Sequence, residues 1–374
     1  MAKRPTKKAT QGNFVSEWFG HRVYPTVVSD ASSIAAQRHE QCPFLSAATG
    51  EARLCVKNEA AKGVCTINTL TGHGRKDWLV CPYRAVSTEI VIDAVRQLFG
   101  LAKTNVPFIA PGITLTKPAV RDNIIARLQA EQPVYIYFDA KMSGELSIPP
   151  TDKSPEFAFD VTIVEITLQG SAAHIGRFGI LEIQTMDFHG SYRAAVRNLR
   201  DGLRLHPNNF AVTLQSNPQW LCEDVEGPNI ANVFKRTFYQ MMFKFQLGAH
   251  DRCVGCMLAI PESVWDSWQR HLGEPALTAE ADGTFSLLAP GKSRPNPVPA
   301  WIYVFNPDAA SAQTPSPVIV SKIIATEVSA MSHWALEIAP LAAIANIDAP
   351  NGMLSLLARR LKKLWPDLAK TISI

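Results

Sequence analysis

The sequence predicts an α/β fold in which strands and helices alternate along most of the chain. Runs of alternating apolar residues, typical of half-buried strands, occur at 134–139, 156–166, 177–187, 256–261 and 300–306. Segments with apolar residues three or four positions apart, typical of amphipathic helices, occur at 87–100, 119–131, 190–206 and 229–248. Hydrophobic residues make up 47% of the 374 residues, which excludes a globally disordered chain.

The two central strand-like runs are EFAFDVTIVEI at 156–166 and RFGILEIQTMD at 177–187. They are separated by the turn-rich segment LQGSAAHIG, in which Gly170, Ser171 and Gly176 interrupt the apolar alternation. Two strands joined in this way predict a β-hairpin whose loop covers that segment.

Three polar side chains of this hairpin are predicted to meet at one edge of the sheet. Because side chains alternate between the two faces of a strand, Glu182 and Gln184 share one face and Ile183 points into the core. Asp160 lies on the neighbouring strand. Two carboxylates and one amide oxygen are hard ligands of the kind that Mg²⁺ takes, and such sites assist phosphodiester cleavage. The spacing alone is weak, because solvated acidic residues at strand ends are the commoner arrangement.

Several longer stretches resemble the NotI-type restriction endonucleases: NFVSEWFGHRVYP, DWLVCP, SPEFAFD, GILEIQTMDFHGSY, EGPNIANVFKRTFYQM and AIPESVW. The resemblance runs from about Asn13 to Phe305 and fades beyond it. It implies a PD-(D/E)xK restriction-endonuclease-like core, with a mixed sheet flanked by helices. In this family glutamine replaces the usual lysine of the motif, and Gln184 stands at that position.

The same resemblance implies that Asp160 and Glu182 bind a catalytic Mg²⁺. Glu145, in the element before the Asp160 strand, is a further candidate catalytic carboxylate, since such an element often assists in this class of nuclease. A surface glutamate in a loop is an equally good explanation of Glu145. Gln184 lacks the positive charge of a lysine, but its amide oxygen can accept a hydrogen bond from the attacking water and orient it.

Seven cysteines in a chain without a secretory signal favour free thiols or metal ligands over disulfides. Four of them lie in a segment with little core of its own, which one tetrahedral ion would stabilise; they are Cys42, Cys55, Cys65 and Cys81. Their spacing lacks paired C-x₂-C motifs, so metal ligands and buried free thiols remain equal alternatives. The resemblance implies a structural iron in this four-cysteine site, with zinc as the alternative. Cys253 and Cys256 have C-x₂-C spacing but lead directly into a strand, and we interpret them as non-ligands.

Basic side chains offer candidate DNA contacts on two predicted helices. The helix at 190–206 presents a broad basic face made of Arg193, Arg197, Arg200 and Arg204. This face is either solvated or a phosphate track beside the acidic cluster. The helix at 229–248 uses its apolar face for the core, which leaves Lys235, Arg236 and Lys244 for DNA. A net charge of +4 is compatible with nucleic-acid binding but does not establish it.

We divide the chain into four segments. Residues 1–12 form a basic flexible arm, 13–83 the four-cysteine metal-binding module, and 84–305 the nuclease core with its DNA-contacting helices. Residues 306–374 contain a linker followed by helical segments, the first of them at 322–346. No apolar run approaches the ~20 residues needed to cross a bilayer, and residues 1–11 lack the apolar region of a signal peptide. We therefore expect a cytoplasmic protein that does not act at a membrane.

Together with the resemblance, these features predict a type II restriction endonuclease. It would cleave double-stranded DNA at a G/C-only palindrome centred on GGCC, such as GCGGCCGC, by Mg²⁺-dependent hydrolysis that leaves 5′-phosphate ends. A two-fold symmetric homodimer is expected on such a palindrome, with helices near 230–247 and 353–366 as candidate interfaces, and a DNA methyltransferase is a candidate companion. The alternatives are a sequence-specific DNA-binding protein with a decayed nuclease site and a DNA repair nuclease on the same core.

Overall fold

The structure is a computed structural model that describes residues 12–366 except 73, 87, 103, 309, 310 and 312. Of the basic arm predicted at residues 1–12, only Gly12 belongs to the described residues. Within them, none of the helices is both long and apolar enough to span a bilayer.

The N-terminal part of the chain folds into a small antiparallel sheet with two helices. Its strands, in the spatial order β2-β1-β3-β4, are β1 (Phe14–Trp18), β2 (His21–Arg22), β3 (Val64–Thr71) and β4 (Gly74–Leu79). The helices α1 (Ala31–Arg38) and α2 (Pro43–Thr49) connect β2 to β3. All five residues of β1 are buried, and Phe14 and Trp18 join the same hydrophobic cluster as the central sheet. This part of the chain therefore shares a core with the rest instead of folding around a core of its own.

The remaining strands form one large sheet and two short ribbons. They are β5 (Phe108–Pro111), β6 (Val134–Asp139), β7 (Leu146–Ile148), β8 (Phe157–Phe159), β9 (Val161–Gln169), β10 (Ala172–Ile183), β11 (Phe188–Gly190), β12 (Val225–Pro228), β13 (Cys253–Pro261), β14 (Thr278–Ala279), β15 (Phe285–Ser286), β16 (Ala300–Pro307) and β17 (Val318–Thr326). The large sheet has nine strands in the order β14-β15-β17-β16-β13-β10-β9-β6-β5, and the ribbons pair β7 with β8 and β11 with β12. Both parallel and antiparallel neighbours occur, so the sheet is mixed.

Nine further helices complete the described chain, connected in places by short 3-10 and π-helical turns. They are α3 (Thr88–Phe99), α4 (Pro118–Gln129), α5 (Arg193–Leu205), α6 (Phe210–Ser216), α7 (Ile230–Lys244), α8 (Glu262–Trp268), α9 (Val328–Ser332), α10 (Ala339–Ile344) and α11 (Met353–Leu364).

Side-chain alternation in the central strands gives the sheet two buried faces. Leu181 of β10 and Met257 of β13 pack in one cluster with residues of α3 and α5. Their neighbours Ile180 and Leu258 point the other way and pack in a second cluster with residues of α7 and α8. The predicted α/β fold, a mixed sheet flanked by helices, is confirmed.

The hairpin between β9 and β10 is tighter than the sequence indicated. Gln169 pairs with Ala172, so only Gly170 and Ser171 form the turn, and Gly170 takes a left-handed conformation with φ 63°. Gly176 lies in a bulge inside β10, where the register shifts between Ile175 and Phe178. The glycine read as part of the loop is therefore an irregularity within the strand.

The C-terminal segment also differs from its prediction. The helix expected from residue 322 is wrong for residues 322–326, which belong to β17 and pair antiparallel with β16 in the large sheet. The boundary drawn between residues 305 and 306 consequently falls within β16. Helices occupy residues 328–332 and 339–344, with a π-helical turn between them.

Candidate active site

Asp160 and Glu182 lie side by side where β8 leads into β9 and β10 ends. Val161 of β9 is paired with Leu181 of β10, so Asp160 and Glu182 are the next residues along the two strands. The Asp160 N–H donates to Glu182 Oε1 at 3.3 Å, and Asp160 Oδ2 accepts from the Ile183 N–H at 2.9 Å. The structure thus brings the two predicted carboxylates together and holds both of them with backbone hydrogen bonds.

The two carboxylates differ in their surroundings. Asp160 is exposed, whereas Glu182 is only 6% exposed. Burial, and after it the neighbouring charge of Asp160, raises the pKa of Glu182 to about 7 against the opposing effect of Lys244. Glu182 therefore belongs to a pair of close carboxylates that attracts positive charge.

Gln184 follows β10 and shares the cleft with Glu182, while Ile183 packs toward the opposite core, as strand periodicity requires. The Gln184 side chain is 8% exposed. Its Oε1 accepts from the Thr237 hydroxyl at 2.7 Å, and its Nε2 donates to the Thr185 carbonyl. The amide is thus oriented by α7 and by its own strand.

Helix α7 also delivers a lysine to the cleft. Lys244 forms an ion pair with Glu182 Oε2, and the two side chains are only 7% and 8% exposed. Its Nζ lies 5.7 Å from the centre of the Phe159 ring. Lys244 is therefore buried against a candidate catalytic carboxylate and does not lie on the helix surface, where the sequence placed it as a DNA contact.

The cleft contains a cavity of about 10 Å³, and its walls come from β10 and α7 together with Asp160. The donor set fits Mg²⁺, which proteins hold through one or two carboxylates and which completes its shell with waters and substrate phosphates. Asp160 and Glu182 supply hard oxygens of that kind. Gln184 can contribute an amide oxygen to water in the same space.

Glu145 immediately precedes β7 and is exposed. In the β7–β8 ribbon Leu146 is paired with Phe159. Continuing this register by one residue puts the backbone of Glu145 across from Asp160. The ribbon therefore carries Glu145 to the edge of the cleft, although the residue does not line its wall.

The four N-terminal cysteines lie near one another, with Cys65 on strand β3. Cys42, Cys55, Cys65 and Cys81 are all free thiols and all buried. Burial, with a contribution from Cys81, raises the pKa of Cys42, and a hydrogen bond from Cys65 lowers the pKa of Cys81. Across the described part of the chain, however, no group of three or more His, Cys, Asp or Glu side chains is arranged to hold a metal ion. The thiols are neighbours, but they do not form a coordination shell.

Cys253 and Cys256 both lie on β13, which begins three residues before the strand predicted at 256–261. Both thiols are buried, and Cys253 Sγ donates to the Gly255 carbonyl at 3.7 Å. Burial also raises the pKa of Cys256 well above its usual value, which keeps this thiol protonated.

The predicted arginine face of α5 is not beside the acidic cluster. The buried side of α5 packs in the cluster on the opposite face of the sheet from Glu182. Arg200 pairs with Glu40 at 2.6 Å and with Glu59 at 2.8 Å, which ties α5 to the N-terminal part. Arg193 and Arg197 remain exposed. The phosphate track on this helix stays a prediction, carried by Arg193 and Arg197 on the side of the sheet opposite Glu182.

The other two candidate DNA contacts lie on the helix that forms the cleft wall. Lys235 and Arg236 are exposed on α7. Arg236 forms an exposed ion pair with Asp187, three residues beyond Gln184, at 2.9 Å. These two side chains are therefore within two residues of Thr237, which contacts Gln184 in the cleft.

Sequence reasoning missed the roles of Thr237 and Lys244. A usable signal was present: the two residues are seven positions apart, which puts them on one face of a helix two turns apart. Glu182 and Gln184 are two positions apart on one face of a strand. A helix lying along that strand can therefore meet both residues at once.

No protein-family model matches this chain, and no curated protein shows significant sequence similarity to it. The site itself consists of two adjacent carboxylates, an oriented amide and a buried ammonium in one cleft.

Proposed function

We propose that this protein is a Mg²⁺-dependent type II restriction endonuclease of the NotI type, with its catalytic centre at Asp160, Glu182 and Gln184. The observation that carries the proposal is the pair of adjacent carboxylates held by the Asp160 and Ile183 N–H groups at the end of β10. A paired-carboxylate site on a hairpin of a mixed α/β sheet is the arrangement expected of a PD-(D/E)xK nuclease.

The residues of the site have two roles, which are to hold the ion and to orient the attacking water. Asp160 and Glu182 would hold the ion, and the backbone hydrogen bonds fix the directions of their carboxylates. Bound Mg²⁺ supplies charge stabilisation at the scissile phosphate and makes water a better nucleophile at neutral pH. Gln184 Oε1 has two lone pairs, of which Thr237 uses one, so the other can accept from the attacking water and orient it.

The hydrolysis of the phosphodiester consumes one water molecule and needs no other reactant. The water oxygen forms a bond to phosphorus while the bond from phosphorus to the 3′ oxygen breaks. One water proton passes to solvent and the 3′ oxygen takes one up, which leaves a 5′-phosphate and a 3′-hydroxyl. Glu145, carried to the cleft edge by β7, is a candidate to assist from outside the ion's protein ligands.

The proposed substrate is double-stranded DNA with a G/C-only palindrome centred on GGCC, bound by a homodimer in the cytoplasm, with a DNA methyltransferase as companion. Lys235 and Arg236 are the proposed phosphate contacts nearest the cleft, and Arg193 and Arg197 are proposed to contact DNA farther from it. A palindrome offers two equivalent strands, so one active site per protomer cuts one strand each.

We also propose that the four N-terminal thiols bind a structural iron, with zinc as the alternative. Their mutual proximity and burial support this assignment. Because they do not form a coordination shell as they stand, binding requires the thiol side chains to turn toward a common point.

Two substitutions in the carboxylate pair test the catalytic assignment. Asp160→Ala and Glu182→Ala should abolish cleavage of DNA in Mg²⁺ and leave specific binding in Ca²⁺ largely intact, because neither side chain is proposed to contact bases. Asp152→Ala, in the exposed loop between β7 and β8, is the matched control and should cleave normally. Retained cleavage by either active-site variant would refute the site. Specific binding without any cleavage by the wild type would instead identify a DNA-binding protein.

A further inference from the structure

The cleft contains a positive charge that comes from helix α7 and not from strand β10. Position 184 carries a neutral amide where the related nuclease motif has an ammonium, yet the Lys244 ammonium reaches the same cleft from α7 and pairs with Glu182. Asp160, Gln184 and Lys244 all line this one space.

We propose that Lys244 supplies the positive charge that position 184 lacks, so that the catalytic centre is built from the β9–β10 hairpin and α7 together. The inference rests on the proposed nuclease function and names an additional residue of the same site. No covalent bond to Lys244 forms or breaks in the proposed reaction.

The geometry of α7 explains how the helix can serve this role. Thr237 and Lys244 are seven residues apart, about 10.5 Å along a helix. Their partners Gln184 and Glu182 are two residues apart, about 6.6 Å along a strand. The longer lysine side chain spans the difference. Because the C-terminal helix residue meets the N-terminal strand residue, α7 runs against the direction of β10 and is fixed to it at two points.

Stability alone is a poor explanation for this ammonium. Lys244 is 6% exposed, with Phe159, Met241 and Phe245 around the cleft. Burying an ion pair costs desolvation free energy, and the attraction between the two charges often does no more than offset that cost. Proteins with apolar residues of similar volume in place of the pair are commonly as stable or more stable. Uncharged residues at both positions 182 and 244 would fill this volume without a buried ion pair, so the charge is better explained by the anion that the cleft receives.

The ammonium can act while it keeps its present partner. A lysine has three N–H donors, and the hydrogen bond to Glu182 uses one of them. The others can donate to a non-bridging oxygen of the scissile phosphate and to the attacking water. Donors placed where negative charge develops contribute most to the rate of such reactions.

Relocating the charge is the sharpest test. Lys244→Met should lower the turnover number for DNA cleavage by about 10²–10³-fold, the usual cost of removing one charge-stabilising donor. Gln184→Lys alone should also be slow, because two ammonium groups would then crowd the same ion site. The double variant Gln184→Lys with Lys244→Met has one ammonium again, now on the strand, and should be clearly more active than either single variant. Lys292→Met, an exposed lysine in a remote loop, is the control and should cleave normally.

Binding measurements separate a catalytic loss from a collapsed site. The Kd of Lys244→Met for a short duplex carrying the site, measured by fluorescence anisotropy in Ca²⁺, should match that of the wild type. Near-normal turnover of Lys244→Met, loss of its DNA binding, or a double variant no more active than Lys244→Met would each overturn the inference. A wild type that binds but does not cleave DNA would instead refute the proposed function on which it rests.

Discussion

The buried pair of Lys244 and Glu182 makes a quantitative prediction about folding that needs neither DNA nor a metal ion. Both side chains are less than a tenth exposed, with 7% for Lys244 and 8% for Glu182. Removing one partner leaves the other buried without compensation, which costs about 3–5 kcal/mol of unfolding free energy. We therefore expect Lys244→Met and Glu182→Gln each to lose stability on this scale when measured in EDTA.

The double variant Lys244→Met with Glu182→Gln distinguishes this explanation from loss of packing. It removes both charges, so most of the stability lost in either single variant should return. Urea unfolding followed by tryptophan fluorescence is suitable, since the chain has eight tryptophans. Lys76→Met is the control because Lys76 forms an ion pair with Asp266 at the surface. The Lys76 side chain is 34% exposed and the Asp266 side chain is 52% exposed. Such a surface pair contributes only about 0–1 kcal/mol. Additive losses in the double variant would refute the coupled pair.

Three further predictions address the other parts of the proposal. Elemental analysis should find one iron or zinc per chain. The variant Cys65→Ser should lose both the metal and stability, whereas Cys256→Ser should retain the metal. The opposite result would assign the metal site to the other cysteines. Sedimentation with a duplex bearing the palindrome should show a protein dimer. Leu357→Asp should weaken this dimer, because Leu357 lies on the exposed apolar side of α11 and is 43% exposed. Clean double-strand breaks by a monomer would contradict this assembly. Burial lowers the pKa of His21 from 6.5, despite the opposing charges of Asp30 and Glu17, so the native state binds fewer protons than the unfolded state. The wild type should therefore lose stability more steeply than His21→Gln as the pH falls below 6.5, and parallel curves would rule out this contribution.

Local patterns were sufficient to predict how the strand residues of the site are arranged, whereas the family resemblance singled these residues out as a site. Glu182 and Gln184 had to share a face because a strand has a period of two, and the antiparallel hairpin brought Asp160 beside them. The alternating apolar residues also predicted the buried strands β6, β13 and β16. These features depend on residues that are close together in sequence.

The helix half depends on packing between distant segments, because the seven-residue spacing of Thr237 and Lys244 does not show which strand their helix face contacts. Lys244 is 62 residues from Glu182 and occurs among apolar residues that predict only a buried face. Arg200 likewise read as part of a basic surface, but Glu40 and Glu59 neutralise it from the N-terminal part of the chain. Residues 322–326 were misread because the segment's apolar residues suit either a helix or a strand, and pairing with β16 decides between them.

Cleavage of a defined plasmid is the most direct test of nuclease activity at Asp160 and Glu182. A plasmid with one GCGGCCGC site and a matched plasmid without it are incubated with the protein in Mg²⁺, and the fragment ends are sequenced. We expect one double-strand break at the palindrome with 5′-phosphate ends. We expect no cleavage of the matched plasmid, none in EDTA, and none by Asp160→Ala. Intact DNA under all these conditions, or cleavage that Asp160→Ala performs as well as the wild type, would contradict nuclease activity at these two residues.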